Sequence, residues 1–168
     1  DPIFGRAGGV VARQTPSPIQ PAQLPELDMV LLTHGHYDHL DLRSLRALQK
    51  NQKRPLPILC PLGMRAILPN DVEVIELDWG QHLHLDSLRI HLVPSQHWHK
   101  RGLRDTNTAL WGGYVIEGEN VRMYHCGDTG YFDGFGLLQE VFGDFDMALL
   151  PAGAFEPRWF MGPQHMAP

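Results

Sequence analysis

Cysteine, positive charge and long apolar runs are all scarce in this sequence. Cys60 and Cys126 are the only cysteines in 168 residues, too few for a disulfide scaffold. No apolar stretch nears the ~20 residues that cross a bilayer. Lys and Arg number 14 against 19 Asp and Glu, a net charge of −5. That balance argues against a general nucleic-acid binder, because a phosphate backbone calls for a basic surplus. The chain shows no initiating methionine and no basic leader. Asp1-Pro2-Ile3-Phe4 reads like the inside of a domain, and Met166-Ala167-Pro168 stops without a terminating element. The expectation is a fragment of a longer protein.

What is abundant is histidine, 10 residues, with 17 Gly and 14 Pro, in a chain that is 43% hydrophobic. One soluble globular domain over residues 1–168 is expected, built of short elements joined by sharp turns. Many His with few Cys points to nitrogen- and oxygen-ligated metal chemistry or to acid–base work.

Residues 5–28 carry seven of the glycines and prolines and read as a long irregular loop. Residues 29–33 form a short apolar run, a buried strand. Asp41 stands where a helix N-cap would. Leu42, Leu45 and Leu48 recur at helical spacing, and Lys50 and Lys53 lie near the end that the helix dipole favours for cations. Strands are expected at 57–60, 72–77 and 88–93, the last from the alternation of Leu88, Ile90 and Leu92 with Arg89 and His91. His82 and His84 alternate with Leu83 and Leu85, which puts them on the polar face of a strand. Residues 108–117 and 121–126 flank Gly118-Glu119-Asn120, a hairpin with a three-residue loop. A short helix at 63–68, a helix at 135–142 and a last apolar strand at 147–150 complete a mixed α/β pattern.

The densest chemistry is Thr33-His34-Gly35-His36-Tyr37-Asp38-His39-Leu40-Asp41. Three His and an Asp fall within six residues, between an expected strand and an expected helix. A loop there can turn several side chains to one point, and neutral imidazole with carboxylate suits zinc and related divalent metals. Gathering such groups without a metal would leave polar atoms in need of other partners.

His34-x-His36-x-Asp38-His39 resembles the metallo-β-lactamase superfamily of hydrolases. The resemblance implies an αββα four-layer sandwich, here short at both ends, with a dinuclear metal site. It implies further ligands at His97, with His99 the competitor, and at Asp128 in Gly127-Asp128-Thr129-Gly130, which would bridge two metals. Gln96-His97-Trp98, Asn107, Leu110-Trp111-Gly112-Gly113 and Glu156-Pro157-Arg158-Trp159-Phe160-Met161 with Gln164-His165 narrow the likeness. They resemble the N-acylphosphatidylethanolamine-hydrolysing phospholipase D family and its bacterial relatives. That family has one more metal-binding His beyond the position of His165, and no residue of this sequence fills it.

The resemblance implies a metal-dependent hydrolase with two divalent ions, for which zinc suits the donors. A first metal would be held by His34, His36 and His97, a second by Asp38 and His39, with Asp128 between. A bridging hydroxide would attack a phosphodiester. Asp38, Asp128 and His165 are the candidate catalytic groups, Asp38 chiefly as a ligand. Trp98, Arg101, Tyr131, Arg158 and Trp159 are candidate substrate contacts, the two arginines because a guanidinium fork matches phosphate oxygens. A sugar-phosphate lactonase or other hydrolase of the metallo-β-lactamase fold, and a non-catalytic metal-binding protein, are the alternatives. A small-molecule or phospholipid substrate, a cytoplasmic or peripheral-membrane setting and a homo-oligomer are compatible with these residues, and nucleic acid is not.

Overall fold

The computed structural model describes residues 1–6 and 8–168. It divides into two compact units, each discontinuous in sequence. The first holds Asp1–Glu76 and His99–Ala109, the second Leu77–Trp98 and Leu110–Pro168.

In the first unit, β1 (Val30–Leu31), β2 (Ile58–Pro61) and β3 (Val74–Leu77) form a three-stranded sheet in the order β1-β2-β3, with β1 parallel to β2. The parallel pair is joined through α1 (Leu42–Asn51). Asp41 caps this helix as expected: its carboxylate accepts from the backbone N–H of Arg43 at 3.2 Å and of Ser44 at 3.1 Å. Leu45 and Leu48 face inward with Leu32, Leu40, Leu56 and Ile58 to form the core. Each such leucine contributes roughly 1.5–3 kcal/mol on burial. Leu32 and Leu40 are both fully buried and bracket the histidine-rich loop, so its two ends are anchored in this core.

In the second unit, β4 (His82–Leu85), β5 (Leu88–Val93), β6 (Gly113–Glu117), β7 (Arg122–His125) and β8 (Met147–Leu149) lie in sequence order. Pairs β4–β5, β5–β6 and β6–β7 are antiparallel, and β7–β8 is parallel. The parallel step needs a crossover, which α2 (Gly134–Phe142) supplies. Leu138, Phe135 and Phe142 of this helix region pack over Val93, Val115, Tyr124 and Cys126 on one sheet face. A short helix, α3 (Arg158–Met161), follows Pro157 and was not expected from the sequence.

β6 is shorter than the expected run from 108. Its first pair is Gly113 with Val93, and the next residue of β5 is Pro94, which has no N–H to continue the ladder. β8 is an edge strand of this sheet, with all three residues exposed. No helix among the described residues is long and apolar enough to cross a membrane.

Candidate metal centre

In the first unit the loop from Leu32 to Asp41 carries His34, His36, Asp38 and His39. The rings of His34 and His36 lie 4.6 Å apart, edge to face, and those of His34 and His39 lie 4.2 Å apart. Behind them stands Asp1. Its carboxylate accepts from the Thr33 N–H at 2.7 Å, from the Thr33 hydroxyl at 2.6 Å and from His39 Nδ1 at 2.8 Å. Thr33 Oγ1 also meets His34 Nδ1 at 2.9 Å.

These contacts assign the ring protons. A threonine hydroxyl has one proton, and here it goes to the Asp1 carboxylate, which can only accept. His34 Nδ1 must then donate to Thr33 Oγ1, and His39 Nδ1 must donate to Asp1. In both rings the lone pair is left on Nε2, where a divalent metal can take it. Asp38 is exposed in the same loop.

The backbone of the loop is clamped at Gly35. Its N–H donates to His99 Nδ1 at 3.2 Å, and its carbonyl accepts from Arg101 Nη1 at 2.9 Å. The same Arg101 nitrogen donates to the Leu40 carbonyl at 2.9 Å, and the guanidinium lies over the Tyr37 ring, 4.3 Å from its centre. A Cβ at position 35 would fall 2.2 Å from His99 Cε1, so only glycine fits. His99 is itself held by Asn107, whose side-chain oxygen accepts from the His99 N–H at 3.1 Å and whose N–H donates to the His99 carbonyl at 2.8 Å. Burial pushes the His99 imidazole below its ordinary pKa, which suits a ring that must stay neutral to accept from Gly35. His99 is therefore a prop of the loop. Arg101, read from the sequence as a phosphate contact, has Nη1 committed to two backbone carbonyls.

In the second unit the turn after β5 carries His97, the turn after β7 carries Asp128, and the segment after α3 carries His165. One ligand atom from each lies within 4.8 Å of the others. His97 Nε2 and His165 Nδ1 each stand 3.8 Å from Asp128 Oδ2, and the two rings are 5.1 Å apart at 76°. Those separations are too long for hydrogen bonds and close to the spacing of donors around one ion. His97 Nδ1 sits 3.2 Å from the Gln164 carbonyl, which can only accept, so Nε2 again carries the lone pair. His165 Nδ1 is buried and has no hydrogen-bond partner among the described residues. A buried, unbonded nitrogen is costly, and a proton or a divalent ion shared with Asp128 would relieve it. The residues present fit such an ion.

Three loops are lashed together to make this group. Gln96 N–H donates to Thr129 Oγ1 at 2.9 Å, Gly130 N–H to the Gln96 carbonyl at 2.8 Å, and Met166 N–H to the Thr129 carbonyl at 2.9 Å. Gln96 Nε2 donates to the Pro163 carbonyl at 2.7 Å. Gly127 turns the chain at φ +62° ahead of Asp128. Cys126 is fully buried, and burial pushes its thiol pKa up to about 12, so it is a packing residue.

Among the other candidates, Trp98 is half-buried, while Tyr131, Arg158 and Trp159 are exposed, Trp159 at 83%. Trp159 and Phe160 pair edge to face on α3, 5.7 Å apart. Sequence reasoning gave no positioning role to Asp1, Thr33, Asn107 or the Gln164 carbonyl. None belongs to a metal-ligand pattern, and Asp1 lies 38 positions from the imidazole it orients.

Over residues 1–168 the sequence matches the Beta-lactamase superfamily domain. It is 38% identical over 168 residues to N-acyl-phosphatidylethanolamine-hydrolyzing phospholipase D 1 of Caenorhabditis elegans, covering 93% of this chain and 47% of that protein. It is 36% identical over 165 residues to the mitochondrial N-acyl-phosphatidylethanolamine-hydrolyzing phospholipase D of Saccharomyces cerevisiae, covering 93% and 35%. A metal-dependent hydrolase of Archaeoglobus fulgidus is 31% identical over 145 residues, covering 83% and 59%. The chain thus spans less than two thirds of each of these relatives. Among solved structures, isothiocyanate hydrolase from Delia radicum gut bacteria aligns with a TM-score of 0.61 at 21% identity, over 91% of this chain and 63% of that one. A metallo-β-lactamase fold protein of Bacillus subtilis aligns with a TM-score of 0.62 at 18% identity, over 84% and 56%. At such identities these two speak to the fold.

Proposed function

The chain belongs to the Beta-lactamase superfamily and has the metallo-β-lactamase fold, and from that premise we propose a metal-dependent hydrolase that cleaves a phosphodiester of an N-acylated phospholipid. The reading rests chiefly on one observation: His34, His39 and His97 each have Nδ1 turned to an acceptor, so each offers Nε2 to an ion. A polar surface loop has no need of that shared tautomer. The likeness to the two phospholipases D supports the choice of substrate.

In this reading, which follows the family resemblance, His34, His36 and His97 would hold one divalent metal, and Asp38 and His39 would contribute to a second, with Asp128 as a further ligand. Zinc suits the donor set. Such ions, when bound, supply an activated water and neutralise charge on the phosphoryl oxygens. His165, beside Asp128, would give a proton to the leaving oxygen. Arg158 would meet the phosphate as a guanidinium fork. Trp98, Tyr131 and Trp159 would face the apolar part of the substrate, with the exposed Trp159 and Phe160 suited to a lipid surface. His99 and Arg101 would act on the loop backbone rather than on substrate.

Metal analysis and paired assays test this. Zinc uptake that Asp128→Asn reduces is expected after loading, with turnover of N-acylphosphatidylethanolamine and none of a sugar-phosphate lactone. Asp128→Asn should abolish turnover while leaving the fold intact. Lactone turnover alone would replace the phosphodiesterase reading. Metal loading with neither substrate consumed would overturn both.

A further inference from the structure

A second set of imidazoles lies on the sheet of the second unit, outside the centre described above. His82 and His84 alternate along β4 and so share a face, and the antiparallel register sets His91 of β5 directly opposite His82. The rings of His82 and His84 are 5.1 Å apart, and those of His82 and His91 are 5.0 Å apart. Metal geometry gives that spacing a meaning. An imidazole nitrogen sits about 2.0–2.1 Å from zinc, its ring centre lies about 1 Å beyond, and a tetrahedral angle then puts two ring centres about 5 Å apart. His97 and His165 show the same separation, 5.1 Å.

The third imidazole is already oriented. His91 Nε2 lies 2.9 Å from the Glu117 carboxylate of β6. The carboxylate, when ionised, only accepts, so Nε2 carries the proton and Nδ1 the lone pair. A carboxylate behind an imidazole is the arrangement that holds many metal-binding histidines in place. Glu117 is fixed in turn by Arg122 at 3.1 Å, and it draws Arg89, the β5 residue opposite His84, to 3.9 Å. Arg89 is thus directed to a carboxylate. His82 and His84 are exposed, so their rings can turn without moving a core atom. That freedom is needed, because their donor nitrogens do not converge as those of His97, Asp128 and His165 do. His82 and His91 also line an apolar cavity of about 420 Å³, walled by Pro94, Phe132, Leu137 and Phe142.

We propose that His82, His84 and His91, backed by Glu117, bind one divalent transition metal, with a fourth position left for solvent or a ligand from the adjoining cavity. Borderline ions such as Zn²⁺ or Ni²⁺ are the chemical class that three neutral imidazoles favour.

Equilibrium dialysis of the 168-residue protein against zinc tests this independently of any hydrolytic activity. The His82→Asn/His84→Asn double variant should bind one zinc fewer per chain than the wild type. Asp128→Asn should leave that equivalent in place. Glu117→Gln should weaken the same equivalent about 10-fold without removing it. If the double variant fails to fold, His84→Asn alone, at an exposed position, gives the same readout as weakened binding. Equal stoichiometry and affinity in the wild type and the histidine variants would overturn the proposal.

Discussion

A carboxylate placed behind two imidazoles does more than fill space. Asp1 takes three hydrogen bonds, from the Thr33 N–H, the Thr33 hydroxyl and His39 Nδ1. Through the hydroxyl it also settles the tautomer of His34. Asp1→Asn keeps the size but offers one acceptor oxygen and an amino group, so one of the three bonds must fail. Partners of this kind typically cost about 10–100-fold in metal affinity when lost. Competition with a chromogenic zinc chelator should show such a drop with little change in secondary structure. An affinity within twofold of the wild type would mean that Asp1 does not govern these rings. The sequence made the imidazoles conspicuous through their density, but it was silent on Asp1, since nothing local links it to a loop more than thirty positions away. Likewise Arg101 looked like an anion contact from its chemistry alone. Its commitment to the carbonyls of Gly35 and Leu40 is a product of the fold.

Elements were legible where one local force dominates. The β5 alternation yields the strand Leu88–Val93 with its expected bounds, and Asp41 caps α1 because a short acceptor before an apolar helical stripe has few other uses. They were less legible where a neighbour decides, as for β6, whose start is set by Pro94 on the partner strand. The loop from His99 to Thr108 is another such case, since its irregular backbone carries no periodic signal yet supports both His99 and Arg101. Asp105 organises it, accepting from the Gly102 N–H at 2.6 Å and the Arg101 N–H at 3.2 Å. Those backbone bonds, Gly102 first, hold the Asp105 carboxyl below its ordinary value of 3.8. The folded state therefore binds this proton less readily than the unfolded chain. The contribution is complete above pH 3.8 and fades as pH falls through the depressed folded value. Thermal melts of the wild type and Asp105→Asn in chelator should differ by a constant gap at neutral pH, and the gap should close in acid. A gap that persists in acid, or never appears, would assign the loop's order to other bonds.

At the scale of the whole molecule, the convergent groups His97, Asp128 and His165 come from segments far apart in the chain. An unfolded chain has no reason to hold these groups together, so a metal that binds them binds the folded state almost alone. Mass action then ties metal concentration to stability. Free zinc at 100 times its Kd adds about 2.7 kcal/mol, and each kcal/mol moves the Tm of a chain of this size by about 2–4 °C. Loading the chelator-treated protein should therefore raise its Tm by roughly 5–10 °C. The rise should grow with the logarithm of free zinc rather than saturate at stoichiometric addition. Asp128→Asn, which removes charge from the group it forms with His97 and His165, should lose most of the rise while its metal-free Tm stays near that of the wild type. His97→Asn should behave in the same way, because its loss opens the same donor group. A Tm indifferent to zinc in the wild type would mean that the convergent imidazoles and carboxylates do not select a metal in the folded state. The hydrolase reading would then have no centre to rest on.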